Sequence, residues 1–173
     1  MTTPLLGDPS SLSALGASLR RTAVLLTAQG QELTTRLEEA DPGWRGPRAL
    51  ALRRRTSTAA DQTLAIAAAL DETGRSLQTA ASDLADAIGH LRQLEDVAAA
   101  LGLEVREGAV TKGWGITGVA DPGAVDEEDR QRQRLQERVH QTVTTLGRRR
   151  ARLADDLGRA STLLREASAE LRA

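Results

Sequence analysis

Gly113 to Gly118, G-W-G-I-T-G, satisfies G-x-G-x-x-G letter for letter and is the nearest approach to a cofactor motif in this 173-residue chain. That fingerprint cradles a pyrophosphate when a strand leads into it and a helix opens directly out of it, so that the first helical N–H groups face the anion. Here Ala120-Asp121-Pro122 follows, and the helical pattern resumes only near Asp126. The stretch therefore reads as a glycine-rich loop with one apolar anchor, Trp114. His90 and His140 are the two histidines, far apart and with no His or Cys at ligand spacing; they read as residues of solvated helix surfaces. Glu38-Glu39 and Asp155-Asp156 are adjacent on helices, point about 100° apart, and so do not converge as an acid and a base must. Nothing assembles a nucleophile, a base and an oxyanion site, and no catalytic activity, cofactor or metal is expected.

The arginine runs Arg53 to Arg55 and Arg148 to Arg150 raise nucleic-acid binding, which needs a basic face and aromatic rings to stack on bases. The formal net charge is -1, Lys112 is the one lysine, and phenylalanine and tyrosine are absent. No nucleic-acid partner is expected from that balance. With no cysteine there is neither a disulfide framework nor a thiolate site. The start, MTTPLLGDPSS, lacks a basic n-region, and no apolar run is long enough for a leader or a membrane span, so the expected location is cytoplasmic, or secreted without a cleaved signal peptide.

The elements that carry these residues are helical almost throughout. Leu12, Gly16, Leu19, Ala23, Leu26, Gly30, Leu33 and Leu37 step alternately by four and three, the seam of a heptad. Asp8 before Pro9 makes a good start and Asp41-Pro42-Gly43 an end, which gives a first helix at about 9–40. Ile66, Leu70, Thr73, Leu77, Ala80, Leu84, Ala87, Leu91, Leu94, Ala98 and Leu101 form a second seam, and Pro47 and Gly102 bound its helix at about 47–101. A third helix, about 126–172, opens on the acidic run at 126–129 and carries Leu135, Val139, Leu146, Leu153, Leu157, Leu164 and Leu171. Three consecutive residues sweep most of a helix circumference, so at least one of Arg148, Arg149 and Arg150 must lie on or beside that seam, with Asp8 as a counter-charge by simple counting of levels. Residues 102–125 read as a loop, within which the alternation of Leu103 and Val105 with Glu104 and Arg106 is compatible with a short hairpin.

Trp44 stands in the turn at 41–46 between the first two helices, at the tip where paired seams diverge, and would fold over that divergence. Gly46 would let the backbone pass close to its ring. Two long amphipathic helices flanking Trp44-Arg45-Gly46, in the context "GDPSSLSALGASLRRTA…PGWRGPRALALRRR", resemble the WXG superfamily of type VII secretion, in its actinobacterial form, over about residues 7–101. The resemblance implies a helical hairpin that acts through other proteins. Such proteins carry their export signal as Tyr-x-x-x-Asp/Glu, and this chain has no tyrosine, which implies export as a passenger on a partner, or none.

The expected architecture is thus all-α: one domain over 1–173, an elongated antiparallel hairpin with a third long helix returning as a three-helix bundle or coiled coil. The expected function is a type VII secretion-associated binding protein, whether substrate, partner or chaperone-like companion; the alternative is a cytoplasmic coiled-coil scaffold or regulator. Its partner would be another helical protein, such as a larger secreted effector, or a second copy of itself. Beyond about Leu77 the first helix runs out, and two helices bury only the seam they share, so Leu84, Leu91 and Leu94 are expected to stay partly uncovered and to bind that partner.

Overall fold

The computed structural model describes residues 7–40, 43, 45–113 and 122–172. They form three helices, α1 (Pro9–Glu39), α2 (Pro47–Ala100) and α3 (Pro122–Glu170), with a hairpin of β1 (Leu103–Arg106) and β2 (Ala109–Lys112) between α2 and α3. The fold class is all-α. Each helix opens on a proline, whose missing N–H would be unpaired at that position anyway and whose φ is already helical. Pro122 corrects the start of the third helix: the acidic run at 126–129 lies inside α3 rather than at its entry.

The contacts divide the chain into two compact units. One comprises 10–79 with 152–173. In it Gly16 meets Gly74 and Gln78, while Gly30 meets Leu64 and Ala60, so α1 and this part of α2 run antiparallel. Gly16, Ala23 and Gly30 are buried at seven-residue spacing, facing Ala60, Ala67 and Gly74, which are buried as well. A Cβ on Gly16 would lie 2.6 Å from the Gly74 carbonyl oxygen, and one on Gly74 would lie 2.7 Å from that of Gly16. Glycine is required at both because two backbones occupy the space that side chains would need. Arg20 crosses above this contact to Asp71 (3.1 Å) and the Gln78 amide oxygen (3.0 Å). On α3, Glu170 accepts a hydrogen bond from Gln62 of α2. Threonines on the three helices, among them Thr27, Thr34, Thr63, Thr73 and Thr142, donate their hydroxyls to the carbonyl four residues back.

The other unit comprises residues 7–9 and Ala80–Ala151. Gly102, with φ of 69°, ends α2, and the chain reverses into β1. The strands pair antiparallel, with Arg106 opposite Ala109 and Val105 opposite Val110, across a two-residue turn. Both turn residues have positive φ, 52° at Glu107 and 83° at Gly108, which makes it type I′, the turn whose twist matches that of the strands. Gly113 donates to the Gly102 carbonyl (2.9 Å) and closes the base. Leu103 and Val110 turn inward onto Leu94, Ala98, Leu135 and Val139, with Leu91 and Val105 packed at the margin.

Glu107 is the one non-glycine residue with positive φ among those described. The left-handed region costs an L-residue about 1–2 kcal/mol, and asparagine tolerates it better than glutamate. Glu107→Asn is therefore expected to stabilise the hairpin by about 0.5–1 kcal/mol. Hydrogen exchange at the Gly113 amide reads this directly: it should slow severalfold, and unchanged or faster exchange would contradict the turn geometry.

Candidate functional site

The three leucines expected at an open docking surface are covered by the chain itself. Leu84 is 3% and Leu94 is 1% exposed, and Leu91 is half-buried. The hairpin caps Leu91 and Leu94, and Gly7 passes close to Leu84, where a Cβ on that glycine would be 3.7 Å from Leu84 Cδ2. Two helices do bury only their shared seam, but here a third layer lies on them. The expectation of an uncovered leucine surface is corrected accordingly, and these side chains belong to the core.

What holds that layer is polar. The edge of β2 directs the Val110 N–H outward, and Gln136 of α3 accepts from it with Oε1 (2.7 Å) while donating from Nε2 to the Gly108 carbonyl (2.9 Å). One amide thereby closes two main-chain groups that would otherwise be open to solvent or to another strand. Lys112 Nζ pairs with Glu128 of α3 at 3.1 Å. On β1 the Glu104 carboxylate hydrogen-bonds the Arg106 guanidinium (2.8 Å), and that bond and charge push the arginine pKa further up. Of these groups only Lys112 stands out in sequence; Gln136 is one glutamine among several on α3, and no spacing marks it.

Between α2 and α3 of the same unit lies an open groove of about 450 Å³ whose walls carry charge. At one end Arg149 reaches Asp83 at 2.7 Å, so one of the three consecutive arginines does sit beside the seam, with a counter-charge that level counting does not single out. Seven residues along each helix, Thr142 Oγ1 is 3.1 Å from His90 Nδ1 and 2.9 Å from the Arg138 carbonyl. A hydroxyl has one proton; given to the carbonyl, it leaves an oxygen lone pair to accept from His90 Nδ1–H. His90 is half-buried rather than solvated, whereas His140 is exposed, with Nε2 3.4 Å from Thr144 Oγ1. The Thr142–His90 contact ties α3 to α2 at this level. Among the described residues there is no group of three His, Cys, Asp or Glu side chains placed to hold a metal ion.

The glycine-rich match has a structural use at its first residue. A Cβ on Gly113 would stand 2.8 Å from the Gly102 oxygen, so this glycine serves the hairpin base. Residues 114–118 lie outside the described residues. So does Trp44. Gly46 is described: its φ is 120°, its carbonyl accepts from the Leu50 N–H (3.1 Å) as the first bond of α2, and a Cβ there would meet nothing within 4 Å. Its positive φ is a backbone conformation that calls for glycine, and the expected passage beside the Trp44 ring lies outside the described residues.

Exposed apolar residues collect elsewhere. Among the described residues Val24 (68%) and Leu25 (65%) are the most exposed large hydrophobic side chains, and they lie together on the side of α1 turned away from α2. Among the described residues no helix is long and apolar enough to cross a membrane. No family model matches the chain, and neither a curated protein nor a solved structure matches it.

Proposed function

We propose that this chain is a helical binding protein associated with type VII secretion, acting as a substrate, partner or chaperone-like companion and without catalysis of its own. The observation that carries the reading is the junction of α1 and α2: Trp44-Arg45-Gly46 falls between Glu39 and Pro47, and the antiparallel helices that it joins meet along a seam of glycine and alanine. The positive φ of Gly46 and the Pro47 start give that junction a sharp re-entry into helix. The partner in this reading is another helical protein, and the exposed face of α1 around Val24 and Leu25 is the apolar surface that suits it.

The test is co-expression with the products of the neighbouring open reading frames, followed by sedimentation equilibrium and by assay of the culture filtrate with and without an intact secretion system. A complex with a small helical neighbour that is lost in Val24→Asp/Leu25→Asp is expected. The reading fails if no neighbour binds and the filtrate content is independent of the secretion system; a cytoplasmic coiled-coil regulator would then be the better description.

A further inference from the structure

In the unit built from 10–79 and 152–173, α1 covers one flank of α2, and the opposite flank of α2 forms an open groove with α3 of about 450 Å³. Its floor on the α2 side is Ala65, Ala68 and Ala69, of which the first two are exposed. On the α3 side Leu163 projects into it and stays 43% exposed. Charged groups stand at the rim: Glu72 on α2, and Arg159 on α3 beside its own Asp156. One wall therefore carries Glu72 among small side chains, and the other carries Leu163 with the Arg159–Asp156 ion pair.

We propose that this groove is a homodimer interface, in which Leu163 of each copy seats on the alanines of the other and Arg159 of each copy meets Glu72 of the other. The levels follow from the Gln62–Glu170 bond. Stepping two turns along the antiparallel helices brings 69 level with 163, and a further turn brings 72–73 level with 159–160. A two-fold axis running along the groove lays α3 of one copy on α2 of the other without changing level. Leu163 then falls on Ala65, Ala68 and Ala69, and Arg159 falls beside Glu72. An axis across the helices would instead set α3 on α3 and α2 on α2 and bring no Arg159 to Glu72, so the first arrangement is the one that pairs them. The surface is self-complementary in size and in sign, which an isologous contact demands. It involves neither the exposed face of α1 nor the Trp-x-Gly junction, so it stands or falls independently of the secretion-linked reading.

Sedimentation equilibrium of the full chain tests it through charge reversal. The wild type is expected to dimerise, and Glu72→Arg and Arg159→Glu should each weaken the dimer at least about tenfold, because each sets like charges face to face. Combining both changes in one chain should restore dimerisation. So should an equimolar mixture of the two single variants, and this restoration also shows that both are folded. Ala68→Arg, which fills the exposed groove, should abolish the dimer while circular dichroism retains the helical content. A monomeric wild type at about 100 µM, a concentration that would populate any micromolar dimer, overturns the proposal. So does a dimer indifferent to these four variants, or a groove occupied only by a different protein.

Discussion

Leu94→Ala is expected to destabilise the hairpin-bearing unit by about 3 kcal/mol, within the range found when a fully buried leucine is truncated and its surroundings only partly collapse. Leu94 is 1% exposed and sits among Ala98, Leu103, Val110, Leu135 and Val139, so its loss opens a cavity bounded by both long helices and both strands. The hairpin has little to hold it apart from this cluster, the Gln136 clamp and the Lys112–Glu128 pair. Hydrogen exchange is the suitable measurement, because a chain of two compact units need not unfold in one step. Amides of Leu103 to Lys112 should exchange about a hundredfold faster, the equivalent of that energy, while amides around Ala23 and Ala67 change little. Exchange at the hairpin equal to the wild type would mean that Leu94 does not support it.

The second large effect lies in the other unit. Gly74→Ala places a Cβ 2.7 Å from the Gly16 carbonyl oxygen and 2.5 Å from Arg20 Cγ. The arginine can swing aside, at the expense of its bonds to Asp71 and Gln78; the backbone oxygen cannot move without separating α1 from α2. Overpacking of this kind typically costs about 1–3 kcal/mol, more than the helix propensity of up to about 1 kcal/mol that alanine gains over glycine. Gly89 and Gly147 provide the control, because a Cβ at either meets nothing within 4 Å. Gly89→Ala and Gly147→Ala should each stabilise by up to about 1 kcal/mol. If Gly74→Ala raised the melting temperature as these two do, the close approach of the two backbones would be wrong.

These two sites also mark how far the sequence was legible. Every seam residue from Leu12 to Leu37 is buried or half-buried, as is the seam of α2 from Ile66 to Ala98, because leucine at alternating spacings of three and four has one stable arrangement in water. The second stripe of α2, through Ala60, Ala67, Gly74 and Ala81, is as deeply buried but did not stand out. Alanine and glycine contribute little apolar area, and their role is to let a neighbour approach, which shows only once the neighbour is known. The same limit explains Leu84, Leu91 and Leu94. Their seam was legible; the cover of Leu91 and Leu94 showed only as an alternation at 103–106, because its turn carries Glu-Gly instead of Asn-Gly, and nothing in the sequence places Gly7 beside Leu84. Gln136 illustrates it at a single residue: a side-chain amide that closes a strand edge depends on where the strand lies, 26 residues away in sequence.

The threonines that bond back along their own helices change what these helices offer to water and to other proteins. With its proton committed to a carbonyl within its own turn, the hydroxyl of Thr34 or Thr63 has no donor left for a partner, and the γ-methyl is the group with most to offer. Such a threonine is closer in behaviour to valine than to serine. Where Thr73 lines the open groove, the wall it presents is less hydrated than its letter suggests, so less water must be stripped from it when another helix arrives.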